Sequence, residues 1–162
     1  MRASDDGTSK ASQRELTITR VFDAPREVVL AAWTDAKQAA QWWGPQGFTT
    51  ISCDMDTRVG GAYRACMRSP EGTIHCRRGI YRELVPPERL VFTFAWEKGG
   101  VEGHGPETVV TVTFADAGRG KTRLTLHQEL FETGSARDAH QTGWSSCMER
   151  FAEYLATLSA DC

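Results

Sequence analysis

Acid–base and nucleophilic catalysis both need a proton carrier or a nucleophile held in fixed geometry. The polar residues of this sequence that could reach an interior are Tyr63, Glu83, Gln128 and His140. His140 lies one helical turn before Trp144, so the two can face the same way. An imidazole there could pass a proton or orient a polar guest. The plainer alternative is a histidine satisfied by a hydrogen bond near a helix start. An enzymatic reading, of cyclase or hydrolase type, requires His140 to converge with Tyr63 or Glu83 on one point. No Ser-His-Asp or Cys-His arrangement is legible in the spacing. Cys147 sits beside an apolar helical stripe, where a thiol packs and stays inert. Catalysis is therefore the weaker expectation, and no catalytic residue is assigned.

Metal and phosphate chemistry fare no better. His75 and Cys76 are strand neighbours and project to opposite faces. His104 belongs to a glycine-rich loop, and His127 is expected to face away from the row of Leu124 and Leu126. No H-x-x-x-H or C-x-x-C spacing occurs, so neither a metal nor a cofactor is expected. The loop holding Gly99, Gly100, Gly103 and Gly105 lacks the Lys-Ser/Thr ending of a phosphate cradle and joins two strands, which makes it a hairpin tip.

The chain has 162 residues and a formal net charge of -2. Its basic pair Arg77-Arg78 points to two faces of one strand, so there is no basic stripe for nucleic acid. No apolar run approaches the roughly 20 residues that cross a bilayer. Residues 1–13, MRASDDGTSKASQ, lack the apolar segment of a secretory signal and read as a polar tail. The five cysteines, odd in number and without C-x-x-C, point to reduced thiols and a cytoplasmic protein.

The elements that must position these residues follow from periodicity. Leu16 to Phe22 alternates as a strand. Pro25 suits a helix start, and the helix runs to about Thr34, burying Val28, Val29 and Ala32. Asp35 with Gln38 opens a second short helix, closed by Trp43-Gly44-Pro45. Strands follow at Thr49–Asp54, Ala62–Arg68, Thr73–Val85, Arg89–Glu97, Glu107–Phe114 and Thr122–Leu130, separated by turn signals. Asp116 to Gly120 forms the last hairpin connection. From Ser135 to Leu158 the apolar residues return at helical spacing, with Ser135 and Asp138 as the capping signal. About 24 residues at 1.5 Å each give a helix of roughly 36 Å, long enough to cross a sheet. The order is one strand, two short helices, six strands and one long helix, in a single α+β domain over 14–160.

The runs RVFDAPREVVLAAWTDAKQAAQWWGPQGF, GGAYRACM, GIYRELVPPERLVFTF, TVVTVTF, TRLTLHQELF and HQTGW resemble the START/Bet v 1-like (SRPBCC) superfamily. Within it the resemblance is to the group named after the C-terminal domain of the activator of heat-shock-protein-90 ATPase, and it covers Arg14 to Leu158. It implies a helix-grip fold: a curved, seven-stranded antiparallel sheet around the C-terminal helix, with a cavity between them. Members of the superfamily include carriers of hydrophobic ligands, polyketide cyclases, self-resistance proteins and a chaperone activator, so fold alone does not choose among them. The activator's separate N-terminal domain has no room in this chain, which weighs against a chaperone partner.

Strand alternation puts Leu90, Phe92, Phe94 and Trp96 on one face, Tyr63, Ala65 and Met67 on another, and Val110, Val112 and Phe114 on a third. Together with the helix they frame either a filled core or an apolar pocket with a few polar groups. The expected pocket is lined by Trp43, Tyr63, Met67, Phe92, Phe94 and Trp96 from the helices and strands. Phe114, His140, Trp144, Met148 and Phe151 complete it. Gly143 costs about 1 kcal/mol against alanine inside a helix, a cost that close approach of a strand or a ligand would explain. The expected partner is an apolar or aromatic small molecule, and a homodimer through exposed strand edges is a further possibility.

Overall fold

A computed structural model of the chain describes residues 14–97 and 107–160. The expected polar tail, the glycine-rich loop with His104, and Cys162 lie outside the described residues. The elements are β1 (Leu16–Phe22), α1 (Arg26–Thr34), α2 (Ala36–Trp42), β2 (Thr49–Met55) and β3 (Ala62–Arg68). They continue through β4 (Ile74–Val85), β5 (Arg89–Trp96), β6 (Thr108–Gly118), β7 (Lys121–Glu129) and α3 (Gly134–Ala160). The seven strands form one antiparallel sheet in the order β1-β7-β6-β5-β4-β3-β2, so β1 and β2 are its edges. This is the helix-grip architecture. No helix among the described residues is long and apolar enough to cross a membrane.

Period-two burial decides which face of the sheet meets α3. Leu16, Ile18 and Phe22 of β1 are buried, as are Leu124, Leu126 and Gln128 of β7 and Val110, Val112 and Phe114 of β6. Against them α3 lays Trp144, Cys147, Met148, Phe151 and Leu155. Each such Leu, Phe or Met is worth about 1.5–3 kcal/mol of burial.

Local signals explain the ends of the helices. Asp35 caps α2 by accepting from Lys37 N at 3.2 Å, and Gln38 donates back to the same carboxylate at 3.2 Å. The cap of α3 is Thr133, whose hydroxyl accepts from Ala136 N at 3.1 Å. This corrects the expected cap at Ser135: the helix starts one residue earlier, at Gly134. The last hairpin also differs. β6 runs to Gly118 and turns over Arg119 and Gly120, so the turn is tighter than one over Asp116 to Gly120. Positive φ at Gly118 (86°), Arg119 (56°) and Gly120 (74°) allows it.

A second correction concerns the thiols. Cys66 and Cys76 face each other across β3 and β4 and are joined in a disulfide, on the face of β3 opposite Tyr63 and Met67. Cys53 and Cys147 are free. The reduced state expected of all five cysteines therefore does not hold for this pair.

Candidate ligand-binding site

The site begins beside Gly79 of β4. At Gly79 the strand comes so close to β5 that a Cβ would lie 1.9 Å from the Thr93 carbonyl oxygen. Ile80 N–H donates to the Thr93 hydroxyl at 2.8 Å, and the Tyr63 hydroxyl donates to the Thr93 carbonyl at 2.6 Å. Alternation along β4 puts His75 and Arg77 in the row of Tyr81, beside Met67 of β3 and Trp96 of β5.

Between this wall and the first half of α3 lies a cavity of about 250 Å³. Its deep walls are Trp43, Met67, Arg77, Phe94, Trp144 and Cys147, all buried. Nearer the surface it is framed by Pro45, Phe48, His75, Trp96, Ala139 and His140, with Gly44 and Gly143 completing the lining. The Gly44–Phe48 segment is held by Arg150. Its guanidinium donates to the carbonyls of Gly44 and Pro45 at 3.1 Å, Phe48 at 3.2 Å and Gln41 at 3.2 Å.

Of the residues expected to line a pocket, the fold brings Trp43, Met67, Phe94, Trp96, His140 and Trp144 to this cavity. Tyr63, Phe92, Phe114, Met148 and Phe151 are not in its lining and belong to the packed core. The cause is a plug from the short helices. Trp33 and Trp42 set their rings at a tilt against Phe92 and Phe151, at centroid distances of 6.4 Å (Trp33–Phe92) and 4.4 Å (Trp42–Phe151), and fill that end of the grip.

Sequence reasoning did not assign Pro45, Phe48, His75, Arg77, Ala139 or Cys147 to the pocket. Arg77, beside the exposed Arg78, is 2% exposed, with its Cζ 4.4 Å from the centroid of the Trp43 ring. His75 lies at the mouth, 6.0 Å from the Phe48 ring. Among the described residues no group of His, Cys, Asp and Glu could hold a metal.

Two indoles of the site have defined partners for their N–H groups. Trp96 Nε1 donates to His140 Nε2 at 2.9 Å. An indole only donates, so His140 Nε2 accepts and the ring proton sits on Nδ1. Burial pushes the His140 pKa down to about 4, which keeps the ring neutral. Trp144 Nε1 donates to Gln128 Oε1 at 2.7 Å, Gln128 Nε2 donates to Thr108 Oγ1 at 2.8 Å, and Thr108 Oγ1 donates to the Phe94 carbonyl at 3.0 Å. This buried chain crosses from α3 through β7 and β6 to β5.

The convergence that the enzymatic reading requires does not occur. His140 is at the cavity, the Tyr63 hydroxyl is spent on Thr93 outside its lining, and Glu83 is exposed and faces Arg89 at 3.4 Å. Cys147 is buried, its Sγ accepting from Gly44 N at 3.4 Å, and burial raises its pKa to about 11. That thiol is a wall and not a nucleophile.

A family model described as Activator of Hsp90 ATPase homolog 1-like protein matches residues 23–156. Among solved structures, the chain is similar to a protein from Chromobacterium violaceum, with 30% identity and a TM-score of 0.77 over 86% of this chain and 95% of that one. It is also similar to the AHSA1 protein from Silicibacter pomeroyi, with 27% identity and a TM-score of 0.81 over 88% of this chain and 98% of that one. A protein from Nitrosomonas europaea shares the fold at 22% identity and a TM-score of 0.76, over 92% and 98% of the two chains. No curated protein matches the chain.

Proposed function

The chain belongs to the Activator of Hsp90 ATPase homolog 1-like family, and from that premise we propose that it binds a small aromatic or apolar molecule between sheet and helix. The observation that carries this reading is the cavity of about 250 Å³ walled by Trp43, Phe94, Trp96 and Trp144. Sites for drug-sized ligands are roughly 300–1,000 Å³, while a cavity of about 150 Å³ accommodates benzene. A one- or two-ring guest fits between these limits. Gly143 supports the same reading. A Cβ added there would meet only Pro45 Cγ, at 3.9 Å, so no protein atom requires the glycine, and the space it leaves belongs to the cavity. A chaperone-docking role rests on the family's description alone.

Native mass spectrometry of the purified protein tests the proposal, together with thermal melts in neutral aromatic compounds such as naphthamide. A co-purified small-molecule adduct, or a melting temperature that rises with ligand concentration as linkage requires, is the expected result. Absence of any adduct and a flat melting temperature across the compounds would sink it.

A further inference from the structure

We infer that the guest is an organic anion, an aromatic or apolar carboxylate whose acid group is received by Arg77. This rests on the ligand-binding reading above and adds the charge of the ligand to it. Arg77 is 2% exposed and lines the cavity. Its Nε is buried with no hydrogen-bond partner, and none of the ion pairs among the described residues includes it. The contact it does make is with the face of Trp43, at 4.4 Å. A cation on an indole face gains about 0.5–2 kcal/mol, whereas the effective cost of burying an uncompensated ion is several kcal/mol. The side chain is thus held inside at a net cost that a bound anion would offset.

The surroundings agree. Among the described residues the cavity lining contains no carboxylate that would compete for the guanidinium. The titratable groups around Arg77 are Tyr63, Cys53 and Cys147, whose pKa values are all raised by burial, so each is neutral near pH 7. His140 is neutral and already accepts from Trp96. Among the polar groups of the lining, Arg77 alone combines burial with a fixed positive charge and free donors. A guanidinium keeps its proton in proteins and offers a planar fork that matches a carboxylate bidentately. The aromatic walls at Phe94, Trp96 and Trp144 then receive the apolar body.

The test compares naphthoate with its neutral isostere naphthamide, followed by quenching of tryptophan fluorescence and by calorimetry, in the wild type, Arg77→Met and Arg77→Lys. A charge-assisted contact worth roughly 1.5–3 kcal/mol predicts that the wild type prefers naphthoate by about 10- to 150-fold. In Arg77→Met the preference collapses to about unity. Arg77→Lys keeps part of the preference, because it keeps the charge but loses the fork. Equal affinity of the wild type for the two probes overturns the anion inference and leaves the ligand-binding reading standing. Failure of both probes to bind overturns both. The wild-type comparison decides the matter even if a variant fails to fold.

Discussion

Trp144 of the long helix donates its indole N–H to Gln128 Oε1 at 2.7 Å, and Gln128 passes the bond on to Thr108 at 2.8 Å. All three are buried. Gln128→Leu leaves one donor orphaned on Trp144 and removes one of the two partners of Thr108. A buried polar group without a partner costs about 1–3 kcal/mol, and urea unfolding should show a loss of that size. Because the residues act as one network, the double variant Gln128→Leu with Trp144→Phe should lose less than the sum of the single losses. Strict additivity would show the two sites to be energetically independent.

His140 gives the fold a pH dependence whose sign follows from its neutral ring. Its folded pKa is lowered from 6.5 to about 4 by burial. Between those values the unfolded chain takes up a proton that the folded state refuses. Stability contributed by this residue is therefore complete above pH 6.5, falls as the pH drops toward 4, and is level below that. The total is on the order of 1–3 kcal/mol. His140→Gln, which can still accept from Trp96 but does not titrate, should flatten the wild-type decline in melting temperature over this window. An unchanged decline would assign the effect to other groups.

Two glycines make opposite predictions. Gly79→Ala places a Cβ 1.9 Å from the Thr93 carbonyl oxygen, a backbone atom that has nowhere to go. A loss of about 3 kcal/mol, or failure to fold, is expected. Gly143→Ala meets only Pro45 Cγ at 3.9 Å and gains about 1 kcal/mol of helix propensity. It should raise the melting temperature and at the same time weaken naphthamide binding, since the new methyl group enters the cavity. Loss of stability in Gly143→Ala would contradict this account.

The thiols can be counted. With Cys66 and Cys76 joined, three of the five cysteines should react in denaturant without reductant, and all five after reduction. Native alkylation of Cys147 should be slow, because the thiol is buried and its pKa is raised to about 11. Five reactive thiols in the unreduced protein would mean that the pair is a dithiol as purified.

Much of the architecture was legible because burial on one face imposes period two on strands and period 3.6 on helices. The lining was legible only in part. Alternation tells which side of the sheet a residue takes, but not how far along the grip it stands, and so Phe92 and Phe151 could not be told from Phe94 and Trp144. That distinction is made by Trp33 and Trp42, which arrive from another part of the chain. Arg77 was hidden for a different reason. In β4 the two isoleucines share a row with Cys76 and Arg78, yet Ile74 is 53% and Ile80 41% exposed, while Arg77 and Tyr81 of the other row are buried. Register with β3 and β5 overrides the hydrophobic pattern there. The disulfide, by contrast, could have been found: Cys66 and Cys76 are symmetric about Glu71, the centre of the Pro70–Gly72 turn.

Arg150 binds carbonyls of residues more than a hundred positions earlier in the chain: Gln41, Gly44, Pro45 and Phe48. Cys147 reaches back just as far, to Trp42 and Gly44. During synthesis, therefore, the segment carrying Trp43 leaves the ribosome long before the residues that fix it. The nascent chain cannot fix this segment until Cys147 and Arg150 have emerged. Contacts of such long sequence separation form slowly, and the site closes in the same event that completes the fold.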